Sequence, residues 1–255
     1  MTINKFKFRH IGLLSAMSEE VGIILDSLEK IKQTTFGDLK ICSGTFKKSQ
    51  NKTLYVSVAF SGWGKVSAAR ATTRLISIKY QEVPIDLILF TGVAASAKTG
   101  LNQWDIVLGE CLLQHDMEAT PIFEKFVIPP LRRKDLLPNK SLLNYFYENL
   151  SVNNLILNHQ KFGKVKRGII ASGDKFINDL TTINKLNSEI PDLSAIEMEG
   201  AAFAQVAIQE KILWLVIRVI SDDAQEGSDK DFGEFIKNYK KYSHELINIF
   251  LNLFA

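Results

Sequence analysis

Acidic residues stand directly behind three apolar segments of this chain. Glu19 and Glu20 follow residues 11–17, Glu197 and Glu199 lie in Ile196-Glu-Met-Glu-Gly200, and Asp222 and Asp223 follow residues 211–220. Arg218 stands four residues before Asp222. In an open α/β sheet, ligands bind beyond the carboxyl ends of the strands. If the apolar segments are strands, the three acid clusters converge on one pocket. Carboxylates gathered there can exchange protons with a ligand and accept its hydrogen bonds. Each cluster also has a plain structural explanation. Acids in a first helical turn complement the helix dipole, and an Asp behind a strand is commonly a turn residue.

Other chemistries fit less well. Gly62-Trp63-Gly64-Lys65 has the look of a phosphate loop, but a Walker A motif needs Gly at 59 and a hydroxyl at 66, where Ala59 and Val66 stand. A dinucleotide fingerprint needs a third Gly at 67, and Ser67 is there. The tetrapeptide reads as a glycine turn from strand into helix. Cys42 and Cys111 lack metal-ligand spacing and read as reduced core residues. His10, His115, His159 and His244 form no metal-binding pattern, so no metal is expected.

The elements that must position these residues alternate between strand-like and helix-like. Residues 11–17, 53–60, 86–90, 105–108, 111–114, 166–171 and 194–196 read as strands. Residues 211–220 are almost continuously apolar, as in a strand covered on both faces. Val21, Ile24, Leu25 and Leu28 have the spacing of an amphipathic helix, with Ser18 as its N-cap. Residues 66–78 and 232–254 predict further helices. This alternation predicts an α/β fold with a largely parallel sheet. Residues 115–139 contain Pro121, Pro129, Pro130 and Pro138 and read as a long irregular excursion: a lid, a partner contact or an exposed loop.

The chain of 255 residues holds no linker-like stretch, so one domain is expected over residues 11–255, behind an N-terminal extension of residues 1–10. It is 46% hydrophobic and 23% charged, an ordinary globular composition. A net charge of +3 is too small to imply a nucleic-acid or membrane partner. The N-terminus lacks the apolar run of a signal peptide, and no segment reaches ~18 apolar residues. A cytoplasmic protein is the expectation.

Four motifs narrow this further: Ala16-Met-Ser-Glu-Glu-Val21, Ser172-Gly-Asp-Lys-Phe-Ile-Asn178, Glu197-Met-Glu-Gly-Ala-Ala202 and Arg218-Val-Ile-Ser-Asp222. In this order, over residues 11–235, they resemble the motifs of 5′-methylthioadenosine/S-adenosylhomocysteine nucleosidases, in the purine nucleoside phosphorylase superfamily. The resemblance implies a single-domain, three-layer fold with a twisted, mixed, largely parallel central sheet flanked by helices. It implies hydrolysis of the N-glycosidic bond of an adenine thionucleoside, releasing adenine and a 5-thioribose product, with no cofactor. It also implies a homodimer whose neighbouring subunit completes the 5′ side of the pocket, with residues 115–138 as the candidate contact.

The resemblance assigns roles residue by residue. Glu20 takes the position of the base that activates the attacking water, and Arg218 lies near that water. Asp222 takes that of the acid assisting protonation of adenine N7, with Ser221 beside it. Met198 and Glu199 match the ribose-binding pair, next to Glu197. Phe176 matches the ring stacked on adenine, Ile177 supplies a backbone contact to the base, and Phe232 contacts the 5′-substituent. Val93 and Ala94 fall in the substrate-binding stretch after Thr91-Gly92. The residue types suit the reaction. Adenine leaves more easily when protonated, and water attacking the opposite face of the ribose needs a second carboxylate, as in inverting glycoside hydrolysis. A phenyl ring stacks on the base without adding charge. Glu199, close to a helix N-terminus, is expected to stay ionised.

Phosphorolysis is the main rival. Phosphate-using relatives gather arginines around the anion, whereas here Phe90 precedes Thr91-Gly92 and Glu20 stands where an arginine is expected. Hydrolysis is therefore preferred. One stretch departs from the pattern: Val93-Ala94-Ala95-Ser96 replaces a Ser or Thr followed by Ala-Gly-Gly. Val93 removes a hydroxyl that can help to position water, and Ala95 restricts backbone that glycine leaves free. These changes motivate a second reading, a nucleoside-binding protein with weak turnover. A third keeps the mechanism and changes the substrate to an aminodeoxyfutalosine-type nucleoside.

Overall fold

A computed structural model describes residues 6–47, 53–152, 161–222 and 228–254. Asp223, His159 and residues 1–5 of the expected extension lie outside the described residues. Strands β1 (His10–Ser15), β2 (Leu28–Phe36), β3 (Leu39–Lys47) and β4 (Thr53–Phe60) precede helix α1 (Lys65–Ile76). A short pair, β5 (Lys79–Tyr80) and β6 (Val83–Pro84), leads into β7 (Leu87–Ser96) and β8 (Ile106–Gln114). Then come α2 (Lys140–Tyr147), β9 (Val165–Ser172), α3 (Leu180–Glu189), β10 (Leu193–Glu197), α4 (Gly200–Gln209), β11 (Leu213–Asp222) and α5 (Ser228–Phe254).

Nine strands form one mixed sheet in the order β10-β9-β8-β11-β7-β1-β4-β3-β2. Strand β7 organises the site. On one side it runs parallel to β11 from Leu87 to Ala95. On the other it pairs with β1 through Phe90, then with antiparallel β10 at Ala95 and Ser96. Between Phe90 and Ala95 that side pairs with no strand among the described residues. The carboxyl ends of β1, β10 and β11 meet around this gap, a switch point of the kind where α/β sheets bind ligands.

Both faces of the sheet are covered, and the period-two alternation of the central strands shows why. Leu87, Leu89 and Val93 of β7 and Leu215, Ile217 and Val219 of β11 join α2 and α5 in one core. Ile88, Phe90 and Ala94, with Trp214, Val216 and Ile220, join α1 and α4 in the other. Helices on two faces of a central sheet give the expected three layers. Among the described residues, no helix is long and apolar enough to cross a membrane.

Several local expectations are corrected. The helix expected over Val21–Leu28 is a pair of 3-10 turns, Ser18–Glu20 and Ile24–Ser27, running into β2. Gly22 breaks it: its φ is 58°, and a Cβ there would lie 2.9 Å from the Lys240 carbonyl oxygen and the Ser243 hydroxyl of α5. Val21, Ile24 and Leu28 are buried all the same, so the apolar spacing located a buried face and not a helix. Ser18 does not cap; its hydroxyl donates to Glu19 at 3.0 Å. The two strands expected at 105–108 and 111–114 are one strand, β8, with a register shift between Gly109 and Cys111. Cys42 and Cys111 are free thiols, as expected, but half-buried rather than in the core. His10 is buried and opens β1 inside the expected extension, while Phe6 and Phe8 pack on Tyr145 and Phe254. The proline-containing excursion is anchored by buried Phe126, Ile128 and Leu136.

Candidate active site

Glu20 sits in the gap of β7. Its Oε2 accepts from the Ser15 hydroxyl at 2.5 Å and from the backbone N–H groups of Ala16 and Met17 at 2.9 and 3.0 Å. Its Oε1 accepts from Val93 N–H at 3.0 Å. A strand edge without a partner leaves buried N–H groups that must be satisfied, and Glu20 satisfies this one. Three of the Glu20 donors share Oε2 and only one reaches Oε1, which has two lone pairs and so keeps capacity for a further donor. The close approach depends on Gly92, because a Cβ there would lie 2.5 Å from Glu20 Oε1 and 2.9 Å from Arg218 Nη1.

Glu197 and Glu199, two residues apart, have opposite environments. Glu197 accepts from Gly200 N–H at 2.8 Å, Glu199 N–H at 3.1 Å and Arg218 Nε at 3.1 Å, and also from Arg218 Nη2 and the Ser172 hydroxyl. It therefore serves the N-terminus of α4 and neutralises Arg218, and its acceptor sites are filled. Arg218 is 1% exposed and lies beneath the cavity, its guanidinium 4.2 Å from the centre of the Phe90 ring. Glu199 turns away from the helix end, and its Oε1 accepts from Gly64 N–H at 2.8 Å. Burial and the neighbouring Glu197 push the Glu199 carboxyl up to about 8, against the pull of Arg218 and the Gly64 N–H. The expectation that Glu199 stays ionised on the helix dipole is thus corrected. Glu197 occupies that position.

Asp222 ends β11 where the register with β7 shifts, and such irregularities re-aim side chains. The Ser221 hydroxyl donates to Asp222 Oδ2 at 2.6 Å. Glu20, Glu197, Glu199 and Asp222 line one open cavity. Met198, Ser221, Val93 and Ala94 line it too, and Phe176, Ile177 and Phe232 complete its wall. The Phe176 and Phe232 rings meet edge-on, 5.8 Å apart at 72°. Arg218 alone of the expected site residues is not on the lining.

Residues 10–255 match the model of the phosphorylase superfamily. The 5′-methylthioadenosine/S-adenosylhomocysteine nucleosidase of Anoxybacillus flavithermus is 30% identical over 243 residues, covering 95% of this chain and 98% of that protein. The chain belongs to this nucleosidase family, within the phosphorylase superfamily. The crystal structure of the nucleosidase from Colwellia psychrerythraea in complex with adenine gives a TM-score of 0.84 at 28% identity, covering 98% of this chain and 97% of that one. The futalosine hydrolase of Helicobacter pylori gives 0.80 at 28% identity, covering 96% of this chain and 97% of that one.

The departures of this nucleosidase-family chain look different with the geometry in view. Val93 lacks a hydroxyl, but its backbone N–H holds the Glu20 carboxylate. Ala95 lies in β7, paired with Ile196 and Asp222, and is not among the residues with positive φ. The restriction expected there does not arise. Sequence reasoning missed Trp63, which lines the cavity while 53% exposed, along with Met17 and Lys175. The signal for Trp63 was its pair of flanking glycines. Gly62 and Gly64 both have positive φ, 76° and 91°, and Gly64 turns its N–H onto Glu199.

Proposed function

We propose that this chain hydrolyses the N-glycosidic bond of 5′-methylthioadenosine, S-adenosylhomocysteine or both, releasing adenine and a 5-thioribose product. The observation that carries this reading is the meeting of Glu20, Glu199 and Asp222 on one cavity, each on a different strand end with its own hydrogen-bonded seat. Adenine stacks on Phe176, and the backbone of Ile177 contacts its edge. Asp222, oriented by Ser221, gives a proton to N7 as the bond from C1′ to N9 breaks, so adenine leaves neutral. Water adds to C1′ from the opposite face and loses its proton to the open site on Glu20 Oε1, the two-carboxylate logic of inverting glycoside hydrolysis. Glu199 accepts from the ribose hydroxyls beside Met198, and Phe232 flanks the 5′-substituent. Arg218 acts from below, fixing Glu197 and so the end of β10.

The lining weighs against phosphorolysis. Among the described residues it brings one cation, Lys175, against four carboxylates, and Arg218 is already neutralised by Glu197. The lining therefore offers phosphate no free guanidinium of the kind that holds the anion in bidentate contact. The fold shared with a futalosine hydrolase favours one further reading, a 6-amino nucleoside with a larger 5′-substituent. A substrate panel tests both. Adenine release from the two thionucleosides is expected, release from an aminodeoxyfutalosine-type nucleoside alone would move the substrate, and binding without release would leave only a nucleoside-binding protein.

The same reading includes a homodimer and action in the cytoplasm. Exposed Trp63, Val66 and Ile122, near the bond between Lys65 and Asp116 or in the segment it anchors, support a contact between copies there. Two free thiols suit a reducing compartment.

A further inference from the structure

Three loops meet beside the ribose end of the cavity and are tied by hydrogen bonds that the mechanism above does not use. Lys65 Nζ donates to Asp116 Oδ1 at 2.6 Å and to Gln114 Oε1 at 3.2 Å. The Lys65 backbone N–H donates to Asp174 Oδ1 at 2.7 Å, and Asp174 N–H donates to Asp116 Oδ2 at 2.9 Å. The bonds close a cycle among the turn after β4, the segment after β8 and the loop after β9. The Lys65 side chain is only 16% exposed, whereas Asp116 and Asp174 stand at the surface. Gly64, adjacent to Lys65, lies so close that a Cβ on it would be 3.0 Å from Asp174 Oδ1. In that position its N–H reaches Glu199 at 2.8 Å.

We propose that Lys65, Asp116 and Asp174 are positioning residues for the ribose site, clamping the Gly64 N–H onto Glu199 and so setting how readily that carboxylate accepts the ribose hydroxyls. This rests on the function proposed above. A backbone N–H given to a carboxylate favours its ionised form, the form that accepts hydroxyls. Glu197, Arg218 and Glu20 also act on Glu199 through their charges. Lys175 and Asp222 line the same cavity, and His115 stands beside the clamp with its ring against Gly173. When the clamp opens, Glu199 holds its proton to higher pH and must release it to bind ribose.

The test compares Asp116→Asn and Lys65→Met with the wild type and with Lys65→Arg, measuring kcat and KM across pH. Each is assayed on methylthioadenosine and on the counterparts lacking the 2′- or 3′-hydroxyl. Loss of one charge-assisted hydrogen bond predicts a KM raised about tenfold with kcat changed less. The acid limb of kcat/KM moves to higher pH, and Lys65→Arg restores much of the loss. On the deoxy substrate lacking the hydroxyl that Glu199 accepts, the penalty shrinks to about twofold or less, because interacting groups are not additive. Equal penalties on all three substrates, or a pH profile that does not move, would overturn the proposal. A wild-type chain that releases no adenine would overturn the proposed function itself, and this inference with it.

Discussion

Four carboxylates share one cavity, and their neighbours give them different work. Glu20 is held by four donors and keeps one open site. Asp222 is oriented by the hydroxyl next to it. Replacing Asp222 with Asn removes the proton donor, and the rate of adenine release should fall ~10²–10⁴-fold; an unchanged rate would refute its assignment as the acid. Glu199 carries a stability consequence. Its carboxyl is raised from 4.5 to about 8, so the folded state favours the protonated form. The stabilisation is complete below 4.5 and is lost as pH rises through 8. Calorimetry of Glu199→Gln should therefore show a higher Tm than wild type at pH 9 and nearly the same Tm at pH 5, together with weaker substrate binding. Glu20, Glu199 and Asp222 were legible in the sequence because each follows a buried apolar strand. Which of Glu197 and Glu199 faces the helix end was not, since two acids two residues apart compete for the same N–H groups.

At the scale of elements, the site depends on β7 changing partners between β1 and β10. The exchange leaves the Val93 N–H for Glu20, and it works only because Gly92 lets Glu20 and Arg218 approach the backbone. Gly92→Ala should lower kcat/KM by at least ~100-fold while costing only ~1–3 kcal/mol in urea unfolding, the range of an overpacked core. A fully active variant would show that the approach is not required. Strands with strong apolar runs, such as β4 and β11, were readable from sequence. The hairpin of β2 and β3 was not, because most of β2 from Glu29 onward is exposed and its polar residues give no alternating signal. The turns after β1 were misread for a related reason, as Val21, Ile24 and Leu28 meet the spacing of a helix while Gly22 forbids one.

For the whole molecule, layering and single-sheet organisation followed from the alternation of elements, whereas ring closure of β7, β11, β8, β9 and β10 depends on long-range pairings that no local pattern announces. The proposed dimer belongs to this scale. Val66 is 80% exposed on α1; sedimentation should give a dimer for the wild type and a shift toward monomer for Val66→Glu, and a monomeric wild type would remove the dimer from the account. The central claim is that an acid-lined cavity uses water and not phosphate. Adenine release from methylthioadenosine, followed in phosphate-free buffer and again with added phosphate, tests it most directly. Adenine and free methylthioribose should appear at the same rate in both. Release only with phosphate, yielding the sugar 1-phosphate, would contradict it.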